Sequence, residues 1–415
     1  MALIVQKYGG SSVGSLDRIH HVAQKVIKAK DEGHHVIVVV SAMYGETDRL
    51  IRLANALTQD HDPREYDVLI SSGEQVSMAL LSMALNAKNY PARSFTGPQI
   101  GIYTDNIHTK ARILEVKTDI IQRELTQGRI VVIAGFQGVN VNGDITTLGR
   151  GGSDTTAVAI AAALKADECQ IYTDVDGVYT TDPHFLPEAR LIPQISFEEM
   201  LELSSLGARV LQIRSVELAS KHNMPIRVLS TFSEGNGTLV TLEDKTMRKR
   251  LVSGIAFSAE EAIISLSGVP RKLGVEGHIL SKVSEANIEI DMIAQNASIE
   301  EKSDFTFTVH RREYAKAMKV VEELATELGS ITIKTNAKVA KLSLVGIGMR
   351  SNTGIASTMF KALGVEGINI QMITTSEIKI SVVLDETHLK RGVEAIHRAF
   401  ELDKPLDAIN PPIFE

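Results

Sequence analysis

Thr147-Leu148-Gly149-Arg150-Gly151-Gly152-Ser153-Asp154-Thr155-Thr156 is the stretch on which the reading of this chain turns. An apolar run, Ile130 to Ala134, precedes it and another, Ala157 to Leu164, follows it. Glycines, an arginine, hydroxyls and an aspartate are thus crowded between a predicted strand and a predicted helix. A Gly-rich turn that opens a helix exposes unpaired N–H groups and the positive end of the helix dipole, which together seat an anion. Arg150 adds a planar fork suited to a carboxylate or a phosphate. The plainer alternative is a helix N-terminus capped by Ser153 or Asp154. A simple cap needs neither the paired glycines nor the arginine.

Outward from this turn the chain alternates strands and helices. Leu3–Val5 and Val36–Val40 read as buried strands, joined by a helix that Ser15 caps and that buries Ile19, Val22, Val26 and Ile27. Strand, crossover helix and strand predict a parallel sheet. Helices are expected over 47–57, over 72–86 with a capping box at Ser72-Gly73-Glu74-Gln75, and over 108–125. Further strands are expected at 92–95, 130–134, 169–173 and 226–229, with a hairpin over 139–147 and helices over 196–203 and 207–221. The predicted fold class is an open α/β sheet with helices on both faces, and a ligand is expected at the carboxyl ends of its strands.

The bulk numbers narrow the function. A chain of 415 residues has room for two or three domains, and 44% hydrophobic with 23% charged residues is ordinary for a globular protein. The net charge of −7 argues against a general nucleic-acid binder. No apolar run approaches the ~20 residues of a membrane span, and Met1–Lys7 is too short an apolar start for a signal peptide. The single cysteine, Cys169, excludes an internal disulfide and reads as a small buried hydrophobe. These features point to the cytoplasm. Twelve histidines without paired Cys/His spacing argue against a dedicated zinc site.

Four loops leave strand ends and are expected to face one cleft. Lys7-Tyr8-Gly9-Gly10-Ser11-Ser12 follows the first strand and combines a mobile cation with glycines that let the backbone approach phosphate oxygens. It lacks the Gly-Lys-Ser/Thr of a Walker A loop. Ser41-Ala42-Met43, with Thr47 beyond, is the second, and the Gly-Arg-Gly-Gly-Ser-Asp turn is the third. The fourth runs from Thr173-Asp174 through Tyr179 to Asp182 and lacks the terminal glutamate of a calcium loop. It reads instead as a nucleotide wall with Tyr179, or as a magnesium partner through Asp174 or Asp182.

These motifs, in order and at matching spacing, resemble the signatures of the aspartokinase family within the amino-acid kinase superfamily. The resemblance spans essentially the whole chain. It implies ATP-dependent phosphorylation of the L-aspartate β-carboxylate to 4-phospho-L-aspartate, on the route to lysine, threonine, methionine and isoleucine. It implies Lys7 and Asp154 as catalytic residues, Arg150 on the substrate α-carboxylate and Glu74 on its α-ammonium. Ser41, Thr47, Gly152 and Ser153 would complete the aspartate pocket. Lys7, Tyr8, Gly9, Gly10, Thr173, Asp174, Tyr179 and Asp182 would line the ATP site, with Mg²⁺ carried by the nucleotide rather than by a protein cage. Where the family has lysine in a Gly-x-Lys stretch, this chain has Gly207-Ala208-Arg209, so Arg209 is the matching residue.

The chemistry needs no strong base. An aspartate side chain with a pKa of about 3.9 is already ionised at neutral pH. The difficulty is bringing two anions together and stabilising the transferring phosphoryl group, which is work for positioning and electrostatics. Asp154 therefore reads as an organiser of Lys7 or of metal-bound water. Glu74 has a competing role as a first-turn carboxylate.

The charged stretch 243–252 reads as a linker after a kinase domain over 1–242. Beyond it, two segments repeat about 80 residues apart: Ile288-Glu289-Ile290-Asp291-Met292-Ile293 parallels Ile368-Asn369-Ile370-Gln371-Met372-Ile373, and Gly274 parallels Gly354. They resemble tandem ferredoxin-like βαββαβ ACT modules, over 253–338 and 339–415. Strands are expected near 262–269, 288–293, 305–310 and 331–334 in the first copy and near 341–347, 368–374 and 378–384 in the second, with helices over 272–286, 313–328, 354–366 and 386–400. Prolines 405, 411 and 412 deny the second copy its last strand, and the extra strand 253–258 is expected to complete that copy's sheet. The resemblance implies lysine or threonine effectors at Gly274, Ile290, Asp291 and Gln295, and at Asn369, Ile370, Ser376 and Glu377. Arg271 and Leu273 replace the family's usual Asp-x-Pro loop, which weakens the first of these sites. It also implies a homo-oligomer that dimerises through ACT sheets. A kinase-like amino-acid sensor without activity and a superfamily kinase of different substrate are the competing readings.

Overall fold

The computed structural model describes the chain except for residues 207–209, 245–246, 248–250, 298–301, 330, 351 and 405–415. It divides into two compact units. The first comprises residues 1–178, 191–205 and 209–247; the second comprises 179–190, 206–208 and 248–415.

The first unit is built on an eight-stranded sheet in the spatial order Gln194–Ser196, Thr238–Thr241, Ile226–Ser230, Glu168–Thr173, Leu3–Tyr8, His35–Val40, Ile130–Ala134, Ala92–Phe95. All pairings are parallel except that of Ile226–Ser230 with Thr238–Thr241. The central strands are buried on both faces, which is why they read as unbroken Val and Ile runs. Lys7 and Tyr8 are neighbours on one strand, so the period of two sends them to opposite faces. Helix Leu16–Asp31 starts at Ser15, whose hydroxyl accepts from Arg18 N, and packs its Ile19, Val22, Ala23 and Val26 on one face. Helix Ser72–Ala87 covers the same face with Met78, Leu81, Ala84 and Leu85. The joined helical run Pro63–Ala87 is long and apolar enough to cross a membrane by composition; half of its apolar window is buried in the protein.

Two local expectations fail. Residues 108–125 are not one helix. Ile113–Val116 is a strand paired with Ile102–Thr104 in a separate four-stranded sheet, and the helix begins only at Asp119. Cross-strand pairing of Ile113 and Val116 there overrides the helical spacing. Nor is Ser72 the cap of a capping box. Its hydroxyl donates back to Leu69 O at 2.7 Å, and Glu74 faces elsewhere. Of the helix expected over 207–221, residues 207–209 lie outside the described residues and the helix observed is Ile213–His222.

In the second unit one antiparallel sheet runs Ile290–Ala297, Lys302–His310, Gly254–Pro270, Thr332–Val345, Lys379–Asp385, Met372–Thr375. Four helices, Val275–Glu285, Tyr314–Leu328, Ile355–Val365 and Leu389–Ala399, pack on it. The strands expected at 253–258 and 262–269 are a single strand of 17 residues, and those at 331–334 and 341–347 merge into one of 14. Gly254–Ser258 pairs with Val345–Lys341, while the continuation Ile263–Ser267 pairs with Asn336–Thr332. A register shift around Glu261 marks where the two halves meet.

Leu81 ties the helix that carries Glu74 to the sheet and is fully buried. Leu81→Ala is expected to destabilise the first unit by roughly 3 kcal/mol, the middle of the range for a buried leucine truncation. Denaturant unfolding followed by a first-unit probe checks this, and a shift below about 1 kcal/mol contradicts the packing described.

Candidate active site

The strand tips of the first unit enclose a cleft of about 440 Å³. Lys7, Gly10, Ser41, Thr47, Glu74, Arg150, Gly152, Ser153, Asp154 and Asp174 all line it. They arrive from five separate stretches of sequence, and the parallel sheet brings them together.

Helix Gly152–Leu164 opens with Gly151 as its N-cap, at φ +68° and with no side-chain cap. A Cβ on Gly151 would sit 1.8 Å from Gln212 Cγ, so the position excludes any larger residue. Gly152 is equally hemmed in, by Phe136 at 2.8 Å. Ser153 and Asp154 are buried on the first turn, and their backbone N–H groups belong to the positive end of the helix. Neither supplies the simple cap considered above.

Lys7 Nζ meets Asp154 Oδ1 at 2.6 Å, with only 12% and 9% of the two side chains exposed. Two charges this close and this shielded from water fix one another's geometry. Arg150 is exposed at the cleft and makes no side-chain hydrogen bond or ion pair with any described residue. Its fork is thus free for an anion.

Glu74 is 3% exposed. Its Oε1 accepts from Ala42 N at 3.1 Å, while Oε2 is buried without a partner. Gly73 permits this approach, since a Cβ there would lie 2.8 Å from the Ala42 side chain. Burial pushes the Glu74 carboxyl up to about 8, against two opposing backbone hydrogen bonds. An orphaned carboxylate oxygen aimed at a polar cleft fits a cationic ligand group.

Other expected residues stand differently. Tyr8 is fully buried and stacks on Tyr172 with ring centroids 4.6 Å apart, so its side chain belongs to the core, not the cleft. Gly9 donates its N–H to Tyr172 O at 3.3 Å and, like Thr173, does not line the cleft. The Thr173 hydroxyl donates to Asp174 Oδ1 at 3.1 Å. Tyr179 and Asp182 fold with the second unit. Asp182 there caps a turn, accepting from His184 N at 2.8 Å. Arg209 lies outside the described residues.

In the second unit Gly274 is an N-cap at φ +89° and Ile290 opens a strand. Asp291 is ion-paired with Lys341, and Gln295 Nε2 donates to Glu276 Oε1 at 2.7 Å. Asn369 and Ile370 precede the strand Met372–Thr375; Ser376 N donates to Lys379 O, and Glu377 lies 3.5 Å from Arg350.

Sequence reasoning missed Phe136, which lines the cleft at φ +72°, and Asp48 and Tyr44 from the second loop. It also missed the helix Pro63–Ile70 and its buried Asp67. The signal was there. Asp62-Pro63 is a helix start, and the Asp62 side chain indeed accepts from Arg64 N and Glu65 N.

Comparison with known proteins fits this geometry. The amino acid kinase family model matches residues 2–230, and an ACT domain model matches 264–324 and 342–400. An aspartate kinase from Pseudomonas putida is 58% identical over 98% of this chain and 99% of its own length. Aspartokinase 2 of Bacillus subtilis is 46% identical over 99% of this chain and 100% of its own. The crystal structure of Clostridium acetobutylicum aspartate kinase superposes with a TM-score of 0.80 at 25% identity, covering 96% of this chain and 100% of that one. With its glycine turn, its closed Lys7–Asp154 pair and a family match over more than half its length, this chain belongs to the amino acid kinase family.

Proposed function

We propose that this protein transfers the γ-phosphoryl group of ATP to the side-chain carboxylate of L-aspartate, giving 4-phospho-L-aspartate and ADP. The observation that carries this reading is the buried Lys7–Asp154 pair in a cleft bordered by a free arginine and an orphaned buried glutamate. Identity of 58% to an aspartate kinase over nearly the full length supports it.

Each end of the amino acid has a partner. Arg150 takes the α-carboxylate, and Glu74, in its ionised form, takes the α-ammonium. Ser41, Thr47 and Ser153 supply polar contacts between them. The side-chain carboxylate is then turned toward the nucleotide. Its oxygen forms the new bond to the γ-phosphorus as the bond to the β,γ-bridging oxygen breaks, and ADP carries away that electron pair. Lys7 neutralises charge between the two anions, held in place by Asp154. Gly10 and the amides of the Gly149–Gly152 turn add donors, and Asp174 would hold the nucleotide's metal. Mg²⁺ bound with ATP would supply further charge neutralisation on the phosphate oxygens.

We extend the reading to regulation and setting. Residues 1–242 form the kinase part, 243–252 the linker, and 253–338 and 339–415 two ACT modules that answer to lysine, threonine or both. The protein works as a homo-oligomer in the cytoplasm, at the head of lysine, threonine and methionine synthesis.

Lys7→Ala is expected to reduce kcat at least ~100-fold with the fold intact, the scale of losing one preorganised charge contact; near-normal turnover removes Lys7 from the mechanism. Glu74 must be ionised to hold an ammonium, and its carboxyl is raised to about 8 in the free protein. kcat/KM for aspartate should therefore climb as pH rises through about 8 and level off above it, while Glu74→Gln should give a low, flat profile. A wild-type profile flat from pH 6.5 to 9, taken as roughly the window around that value, excludes this role. Activity measured with lysine and threonine, alone and together, is expected to fall in at least one of the three mixtures; full activity in all three contradicts the regulatory reading.

A further inference from the structure

Asp67 is a wholly buried carboxylate in the first unit that the phosphoryl-transfer scheme leaves unused. It sits on the inward face of the helix Pro63–Ile70. Its hydrogen-bond partners among the described residues can all donate to it. His108 Nδ1 lies 2.8 Å from Oδ2, and Thr109 N is 3.1 and 3.0 Å from the two oxygens. Thr147 N lies 3.1 Å from Oδ2, and the Thr147 hydroxyl donates to Oδ1 at 2.5 Å. A carboxylate removed from water needs its acceptor sites filled in this way.

The donors are not scattered. Thr147 is the last residue of its strand and leads straight into Leu148, Gly149 and Arg150. Thr109 has φ +66°, a left-handed conformation that a β-branched residue adopts only when held there. Its carbonyl oxygen lies 3.1 Å from where a Cβ on Gly149 would be. Ala111 N donates to Thr147 O at 2.9 Å, closing the loop against the strand. Asp67 thus clamps two segments that together shape one side of the glycine turn. Beyond it, Leu148 N donates to Phe136 O at 2.9 Å and Arg214 Nη1 to Leu148 O at 3.2 Å.

Arg150 itself has no described side-chain partner to hold it. Its placement therefore depends on the backbone of the turn. We propose that Asp67 is a positioning residue for the amino-acid substrate: through Thr147 and Thr109 it presets the turn that presents Arg150 to the substrate α-carboxylate. This rests on the function proposed above. Asp67 touches neither substrate, so its effect falls on aspartate binding rather than on the transfer step.

The test compares Thr147→Val, Thr147→Ser and Asp67→Asn in the full-length protein. Thr147→Val removes only the hydroxyl donor, and Thr147→Ser keeps it. Thr147→Val is expected to raise the aspartate KM roughly tenfold, with kcat and the ATP KM changed by less than about twofold, the scale of one lost hydrogen bond in a supporting shell. Thr147→Ser should restore the aspartate KM. Asp67→Asn should reproduce the Thr147→Val pattern more strongly, and amide hydrogen exchange across residues 147–152 should quicken in both. An unchanged aspartate KM in folded Thr147→Val overturns the proposal, as does an equal loss in kcat and in both KM values. Failure of Asp67→Asn to fold leaves the two threonine variants to decide. Wild-type protein that does not phosphorylate aspartate defeats the functional reading itself, whereas active wild type with unaltered variants defeats only this inference.

Discussion

Two like-charged reactants must meet in this protein, and in the mechanism we propose that meeting depends on the Lys7–Asp154 pair. A lysine alone at a strand tip is a flexible, strongly hydrated charge with many rotamers. Buried against Asp154 at 2.6 Å, it has one position. The parallel sheet provides the rest. Lys7 leaves the end of a central strand, and Asp154 stands on the first turn of a helix packed across that strand. Removing water from the pair raises the value of every charge around it.

Burial of polar groups runs through the site as a second theme. Glu74 carries an unsatisfied oxygen and a carboxyl raised to about 8, a cost borne by the free protein. Asp67 is equally buried yet saturated with donors. The contrast separates roles. A satisfied buried carboxylate fixes backbone, and an unsatisfied one waits for a ligand. The glycines follow the same division. Gly151 is required by close packing against Gln212 and by its positive φ, whereas Gly10 lines the cleft itself.

The alternation of strand and helix was legible because buried parallel strands advertise themselves as Val and Ile runs. The glycine turn was legible because so many small residues have no other use together. Less visible was whatever depends on tertiary contact. Ile113–Val116 keeps helix-like spacing and becomes a strand only because Ile102–Thr104 lies beside it. Tyr8 sits within a loop motif, yet strand alternation turns its ring into the core onto Tyr172. The two long strands of the second unit each looked like two, since polar residues near Glu261 and Asn336 interrupt their apolar runs without ending them. Asp67 was hidden because nothing in a sequence tells a buried acid from a solvated one. The Asp62-Pro63 helix start was the available clue.

The most direct test of the central claim is a crystal structure of this protein with L-aspartate and a non-hydrolysable ATP analogue bound together. The account predicts Lys7 Nζ within hydrogen-bond reach of a γ-phosphate oxygen while still paired with Asp154, Arg150 on the α-carboxylate, and the side-chain carboxylate facing the γ-phosphorus. Lys7 or Arg150 turned away from both ligands, or the aspartate bound with its ends reversed, would contradict it.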